Sequence, residues 1–186
     1  MQTRTRNIVF SSLLCALLCV SAFVSFMVPP FPVKFTFQVL IIFVTAGVLS
    51  PSYAFATVAV YTVLGLIGVP VFSAGGGIGY VLTPYFGYIL GFLAATPLMS
   101  FIIRYKAEGK IKIVRYAIAA VVGLVTIYAL GVAYLYVIKN AYLGSTIAIA
   151  TAIKVGCLIF LPLDGIKAVL AFGVIKLLQR ANLTSR

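Results

Sequence analysis

The residues best suited to chemistry in this sequence are an aspartate and a lysine inside an otherwise apolar segment. Asp164 and Lys167 stand three positions apart in the run LPLDGIKAVLAF, so on a helix they lie on one face as neighbours. Charged groups inside a membrane segment are costly and generally face an interior cavity. Three interpretations follow: a structural ion pair, a proton relay, or a polar anchor in which Asp164 accepts N–H bonds and Lys167 meets an anion. A relay is the weakest of them, because the chain has two acidic residues and no histidine.

A glycine-rich stretch far from this pair is the second candidate. The run VPVFSAGGGIGYVLTPYFGY, residues 69–88, contains Gly75, Gly76 and Gly77 and lies between two apolar segments, which predicts a loop at a membrane surface. Glycine tolerates positive φ and has no side chain, so such a loop can bring its backbone close to a ligand. It does not follow a strand and lacks the Lys-Ser/Thr ending of a phosphate loop, so we do not expect it to bind nucleotide. We expect the loop and the charged pair to meet around one small solute.

Composition indicates an integral membrane protein. Of the 186 residues, 63% are hydrophobic and 9% are charged, whereas a soluble domain carries about a quarter charged residues. The two acidic residues, Glu108 and Asp164, are expected in different compartments, which excludes a paired-carboxylate hydrolase. The absence of histidine excludes a Ser-His-Asp triad, and three cysteines at these spacings do not make a zinc site. We therefore expect no enzyme, no metal and no cofactor.

Six apolar segments are long enough, or nearly so, to cross a bilayer. They cover residues of about 8–28, 35–49, 53–67, 84–103, 114–138 and 146–178, and Pro162 predicts a kink in the sixth. The net charge of +12 is carried between these segments, where basic residues set orientation in the membrane. It therefore does not indicate a nucleic-acid partner. Six helices with a cytoplasmic N-terminus place both the basic loop at 104–115 and the C-terminus inside. The sequence predicts a single all-α domain of six transmembrane helices, with both termini cytoplasmic and the glycine-rich loop outside.

Small residues at four-residue spacing form two rows on the first helix. Cys15 and Cys19 form one row, and Ser12 and Ala16 form the next. Small rows let helices approach closely in lipid. The rows predict either a docking face for another membrane protein or packing inside this bundle, and the pattern alone does not choose between them.

Three blocks occur in a fixed order along the chain: PPFPVKFTFQVL, LIGVPVFSAGGGIGYVLTPYFGYILGF and LPLDGIKAVLAF. In this order they resemble the BioY family, the biotin-binding substrate-specific (S) components of energy-coupling-factor (ECF) transporters, and the resemblance extends over all six helices. Pro30, Pro32, Thr36 and Gln38 fit the family pattern P-x-P-x-T-x-Q, with Lys34 between them. Where the family reads GPTGGY before the fourth helix, this chain reads LTPYFGY, so the family's contacts around 83–86 do not carry over.

The resemblance implies an ECF S-component fold in the cell membrane of a prokaryote, with biotin bound near the extracellular side. It also implies partners: a transmembrane T component and two ATP-binding subunits, so that ATP is used by the partners and biotin is the substrate. In that family small residues on the first helix face the T component. Here either Ser12 with Ala16 or Cys15 with Cys19 would form that face.

The chemistry of biotin suits the candidate residues. The ureido ring has two N–H donors, which suit Asp164, and a carbonyl, which suits Gln38 or backbone N–H groups. The carboxylate needs a cation or donors, for which Lys167 is the first candidate and Lys154 the second. The apolar ring system needs a wall, and glycines at 75–77 would let the loop close over the ligand. The aromatic candidates for this wall are Phe72, Tyr80, Tyr85 and Tyr88.

Three other functions remain open from the sequence. An S component for a different vitamin would have the same scaffold, and only ligand screening separates it from one for biotin. A secondary transporter driven by an ion gradient would work without an ATPase, but the apolar segments contain no second acid to support it. A scaffold or membrane enzyme without a solute would not be stabilised by any vitamin.

Overall fold

The chain folds into six helices in the computed structural model, which describes residues 2–27, 34–105 and 111–181. The proline-rich turn with Pro30 and Pro32, and Glu108, lie outside the described residues. In chain order α1 to α6 cover Gln2–Phe23, Gln38–Val48, Pro51–Leu66, Phe86–Arg104, Ile113–Tyr142 and Ile149–Arg180. Four of them, α1, α4, α5 and α6, are long and apolar enough to cross a membrane, and α2 and α3 are shorter apolar helices. The all-α fold is as predicted.

The first two helices differ from their predicted bounds. The predicted helix at 8–28 begins earlier, at Gln2, and ends at Phe23, because the chain then becomes extended. Strand β1 (Ser25–Met27) pairs antiparallel with strand β2 (Lys34–Thr36), so α2 begins at residue 38 and not at 35. Apolar residues suit a buried strand as well as a helix, which is why hydropathy did not separate the two.

Helix α2 is the interior helix of the bundle. Its 11 residues span about 16 Å at a rise of about 1.5 Å per residue, well short of the roughly 30 Å hydrocarbon core. Nine of the 11 are buried, and α2 contacts α1, α4 and α6. Its C-terminal end is held by Arg104, which donates to the carbonyl oxygens of Ala46 at 2.8 Å and Gly47 at 3.0 Å. Gln38, the first residue of α2, is also buried, so it lies within the bundle.

The sixth segment is not one helix with a kink at Pro162, as predicted over 146–178. Helix α6 consists of Ile149–Ile153, a π turn at Lys154–Leu158, and a regular helix over Leu161–Arg180. Pro162 lies in the first turn of that last part, where its missing N–H costs no helical hydrogen bond. The irregularity therefore precedes the proline, immediately before the part that carries the charged pair.

Helices α4 and α5 pack closely because glycines face the partner helix. A Cβ on Gly91 would lie 2.8 Å from the Cα of Ile127, and one on Gly87 would meet the side chain of Tyr134. This close packing is the arrangement that small residues at four-residue spacing allow. It also sets the position of the loop that precedes α4.

The glycine-rich loop between α3 and α4 folds back onto the C-terminal end of α3. Gly77 N donates to the carbonyl of Gly65 at 2.7 Å, and Phe72 and Gly75 exchange two backbone hydrogen bonds of 2.9 and 3.1 Å. Gly75 and Gly77 have φ of +116° and +99°, a region that side chains disfavour. A short 3₁₀ helix, Ile78–Leu82, then leads towards α4. The loop is thus a compact, backbone-bonded structure.

Candidate functional site

A polar cavity lies between the glycine-rich loop, β2 and helices α2, α4, α5 and α6. Its volume is about 60 Å³, several times the roughly 10–15 Å³ that one water needs. The wall combines hydroxyl, amide and charged groups with an apolar surface, as small-molecule sites do. The polar lining residues are Thr36, Gln38, Ser73, Tyr80, Tyr85, Tyr88, Tyr128, Asp164 and Lys167, and the apolar ones are Val39, Ile89, Phe92, Ile127 and Phe160.

The charged pair forms one side of this cavity. Lys167 Nζ lies 2.6 Å from Asp164 Oδ1, and the two residues are 9% and 3% exposed. Lys167 Nζ also donates to the Thr36 carbonyl at 2.8 Å, and the Tyr128 hydroxyl donates to Asp164 Oδ2 at 2.6 Å. The prediction that Asp164 and Lys167 are neighbours on one helix face is confirmed.

This arrangement presents a donor and an acceptor side by side in a place shielded from water. Each carboxylate oxygen has two lone-pair sites and an ammonium group has three donors, so both groups retain bonding capacity beyond these contacts. A ligand with a carbonyl next to an N–H can therefore bond to Lys167 and Asp164 together. Cyclic ureas and amides have that edge.

Gln38, at the N-terminal end of α2, is held from both sides. Its Oε1 accepts from the Thr36 hydroxyl at 3.1 Å, and its Nε2 donates to the hydroxyl of Tyr61. Because the Tyr61 hydroxyl donates its one hydrogen to the carbonyl of Val71, it must accept from Gln38, and this determines which way the amide is turned. One of its two N–H groups donates to Tyr61, and the Gln38 side chain also lines the cavity.

The aromatic candidates divide into wall and support. Tyr80, Tyr85 and Tyr88 line the cavity, whereas Phe72 does not. Phe72 lies behind the wall, with its ring centroid 4.6 Å from that of Tyr80 and 5.4 Å from that of Tyr61. Burial raises the pKa of the Tyr80 phenol, which keeps its hydroxyl protonated and able to donate. Its oxygen lies 3.2 Å from that of Ser73.

Besides Phe72, four more of the predicted binding residues are absent from the cavity lining. Gly75, Gly76 and Gly77 are absent from its lining and instead shape the loop: a Cβ on Gly76 would meet the carbonyl of Val69. Lys154 is exposed on the π turn of α6, also away from the lining. The spacing of the three glycines along the chain did not show that they lie outside the cavity lining, because the folding of the loop backbone accounts for them.

One contributor, Tyr128, was missed from the sequence, although it donates directly to the carboxylate of Asp164. Tyr88, a predicted wall residue, also donates to the carbonyl of Gly156 at 2.7 Å, which joins the wall to the π turn. Helix α5 contains Tyr116, Tyr128, Tyr134 and Tyr136. Nothing in that pattern distinguished the one that faces the aspartate.

The two adjacent small rows of α1 differ in burial. Cys15 is buried and Cys19 is half-buried, while Ser12 and Ala16 are exposed. The cysteine row therefore packs inside the bundle, and the Ser12–Ala16 row is available to a partner. Among the described residues no group of three or more His, Cys, Asp or Glu side chains is placed to hold a metal ion.

Comparison with known protein families matches residues 1–183 to the BioY family. The chain belongs to the BioY family. Among curated members of the BioY family, "Biotin transporter BioY" of Thermotoga maritima is 38% identical over 167 residues, covering 89% of this chain and 91% of the relative. "Probable biotin transporter BioY" of Pyrococcus horikoshii is 31% identical over 177 residues, covering 95% and 98%.

A solved structure shares the fold of this BioY-family chain. It is described as the crystal structure of the S-component for biotin from an ECF-type ABC transporter, and it superposes with a TM-score of 0.82 at 23% identity. The match covers 99% of this chain and 94% of the other. The six helices thus have the ECF S-component fold.

Proposed function

We propose that this chain binds biotin and takes it up as the S component of an ECF transporter in a prokaryotic cell membrane. Membership of the BioY family, whose relatives include a biotin transporter, supports the substrate. The S-component fold supports the type of transporter. The observation that carries the proposal to particular residues is the Asp164–Lys167 pair inside the cavity.

Asp164 and Lys167 together suit the ureido edge of biotin. Asp164 accepts an N–H of the ring, and Lys167 donates to the neighbouring carbonyl oxygen. The 2.6 Å between Nζ and Oδ1 favours this arrangement over the sequence-based assignment of Lys167 to the carboxylate. The carboxylate of biotin is separated from the ureido group by the ring system and the valeryl chain, so it would have to fold back to reach Lys167. Binding then shares the pair and does not break it.

The rest of the ligand is assigned to the loop side of the cavity. The rings of Tyr85, Tyr88 and Phe160 provide the apolar wall for the fused rings. The hydroxyls of Ser73 and Tyr80 are neutral donors on the glycine-rich loop, suited to a carboxylate that stays near water. Charged groups cost less near the membrane surface than at its centre, so the carboxylate does not need a buried cation.

Energy for transport comes, in this proposal, from a T component and two ATP-binding subunits. The exposed Ser12–Ala16 row of α1 is the proposed contact with the T component, because small residues allow close helix approach. The basic residues support cytoplasmic termini: Arg115 donates to the carbonyl of Tyr105 at 2.6 Å, and Lys176 donates to that of Ile111 at 2.7 Å. These contacts bring Arg115 and Lys176 to one end of the bundle, which supports a common cytoplasmic side for both under the positive-inside rule.

Thermal unfolding of the purified, detergent-solubilised chain, stripped of biotin, tests the substrate. A ligand that binds only the folded state stabilises it by about 4 kcal/mol at a thousandfold excess over its dissociation constant. We expect a large upward shift with biotin and none with riboflavin or thiamine. A shift with another vitamin and none with biotin would retain the S-component function and reject the substrate. No shift with any vitamin would leave the charged pair a structural feature.

A further inference from the structure

Tyr61 lies outside the cavity but joins its wall to the glycine-rich loop. The residue is fully buried, at 0% exposure, near the middle of α3. Its hydroxyl accepts from Gln38 Nε2 and donates to the carbonyl of Val71 at 3.2 Å. One phenol oxygen therefore connects a side chain that lines the cavity with the backbone of the loop.

The connection continues to the charged pair through Thr36. The Thr36 hydroxyl donates to Gln38 Oε1 at 3.1 Å, and its carbonyl accepts from Lys167 Nζ at 2.8 Å. Thr36 thus joins two sets of hydrogen bonds through its own covalent frame: its carbonyl accepts from Lys167, and its hydroxyl begins the run through Gln38 and Tyr61 to Val71. Such chains of buried hydrogen bonds are cooperative, because each bond polarises and orients the next.

We propose that Tyr61 is a positioning residue that couples the occupant of the cavity to closure of the glycine-rich loop. The inference rests on the proposed location of the biotin site. A solute that bonds to Lys167 or Gln38 orients the chain of hydrogen bonds, and Tyr61 passes this orientation to Val71. The loop also carries Ser73 and Tyr80, which line the cavity. Holding Val71 therefore keeps these two hydroxyls over the bound solute and slows its release.

A second phenol makes a matched control. The Tyr134 hydroxyl, on α5, donates to the carbonyl of Val81 near the other end of the loop. It anchors the same loop, but its partner is a loop carbonyl and not a side chain of the cavity wall. Tyr61→Phe and Tyr134→Phe each delete one hydroxyl and keep the ring, so Tyr61 still packs against Phe72. If Tyr61 merely stiffened the loop, Tyr61→Phe and Tyr134→Phe would have the same effect on the dissociation rate of biotin.

The experiment measures association and dissociation rates of labelled biotin on the purified chain. A net hydrogen bond is worth about 0.5–1.5 kcal/mol, so loss of the two bonds of Tyr61 should speed dissociation about tenfold or more. Association should change by less than about twofold, because affinity changes within one site appear mostly in dissociation. Tyr134→Phe should speed dissociation clearly less. Equal dissociation rates for the two variants would overturn the coupling.

A double-mutant cycle distinguishes coupling through Tyr61 from a purely structural role of that residue. Thr36→Val removes the hydroxyl that orients Gln38 and keeps the carbonyl that holds Lys167. We expect Tyr61→Phe to add little to the dissociation rate of Thr36→Val, because both break one chain, and Tyr134→Phe to multiply it. Independent, multiplying effects of Thr36→Val and Tyr61→Phe would overturn the proposal. If Tyr61→Phe does not fold, Thr36→Val alone must speed dissociation more than Tyr134→Phe does, or the proposal fails.

Asp164→Asn, measured beside these variants, separates the two possible failures. Normal biotin binding in Asp164→Asn would show that the charged pair is structural and does not recognise the ureido ring, and the proposed biotin site at this pair would fail. Lost binding in Asp164→Asn with unchanged dissociation in Tyr61→Phe would keep the site and remove only the coupling.

Discussion

Replacing Asp164 with asparagine separates two roles of this residue, support of the buried lysine and recognition of the ureido ring. In the wild-type chain Oδ1 lies 2.6 Å from Lys167 Nζ, and Oδ2 accepts the Tyr128 hydroxyl at 2.6 Å. Asparagine has one acceptor oxygen and one donor amide, so if its oxygen accepts from Lys167, its amide faces the Tyr128 hydroxyl, which must change from donor to acceptor. Lys167 also loses its counter-charge.

Both effects can be given a magnitude. Breaking a buried ion pair from one side costs about 3–5 kcal/mol, so the unfolding temperature of Asp164→Asn should fall although the chain remains folded in detergent. A hydrogen bond to a charged group is worth about 1.5–3 kcal/mol. Loss of the ureido contact should therefore weaken biotin binding about 10- to 150-fold.

The assay compares Asp164→Asn, Lys167→Met and the double variant. Thermal unfolding without ligand reports stability, and titration with labelled biotin reports affinity. The double variant has no unpaired buried charge, and replacing both members of a buried pair with uncharged groups is often neutral or stabilising. We expect its stability to return to near the wild-type value while its affinity for biotin stays low.

Wild-type affinity in the double variant would refute this reasoning. It would mean that Asp164 serves only to neutralise Lys167, and that the pair is structural. Unchanged affinity in Asp164→Asn itself would lead to the same conclusion and would remove the ureido assignment.

Three further changes test other parts of the site. Lys167→Met should weaken biotin and an uncharged biotin amide by the same factor, because Lys167 is assigned to the ureido carbonyl; a loss confined to biotin would assign it to the carboxylate. Gly76→Ala forces a Cβ into a loop carbonyl and should cost about 1–3 kcal/mol of stability. A Cβ on Gly79 meets nothing within 4 Å, so the unfolding temperature of Gly79→Ala should be near that of the wild type. Equal losses of stability in the two variants would show that the close approach at Gly76 is not what matters. Ala16→Leu should block co-purification with the T component and leave biotin binding intact. The control Ala117→Leu, at an exposed position of α5, should change neither co-purification nor biotin binding. Normal assembly of Ala16→Leu would place the docking face elsewhere.

Residue pattern predicted the fold and the charged pair because both depend on short-range rules. Six apolar runs indicate six helices, and a spacing of three residues makes Asp164 and Lys167 neighbours on a helix. The helix ends were less predictable, since the strand pair of β1 and β2 depends on partners 7 to 11 residues apart. The π turn before Pro162 likewise depends on packing, where Gly156 meets Tyr88.

The glycine-rich loop shows why a run of glycines does not by itself indicate which residues line a cavity. Gly75 and Gly77 adopt positive φ and Gly76 avoids a carbonyl of the same loop, so all three serve folding. On this loop the cavity is lined by Tyr80, which was predicted, and by Ser73, which was not. A run of glycines signals an unusual backbone, and only tertiary structure shows whether a ligand or the protein itself requires it.

The buried pair makes better sense as a binding device than as a stabilising one. Apolar side chains of similar volume are often as stable as a buried ion pair or more so, so stability alone does not account for Asp164 and Lys167. Folding has already removed both groups from water and fixed them through Thr36 and Tyr128. A ureido ring that enters the cavity therefore loses its own water but does not have to strip or reorient its partners. Such preorganisation lowers the cost of binding, and Thr36, which holds Lys167, is also linked through Gln38 and Tyr61 to the glycine-rich loop.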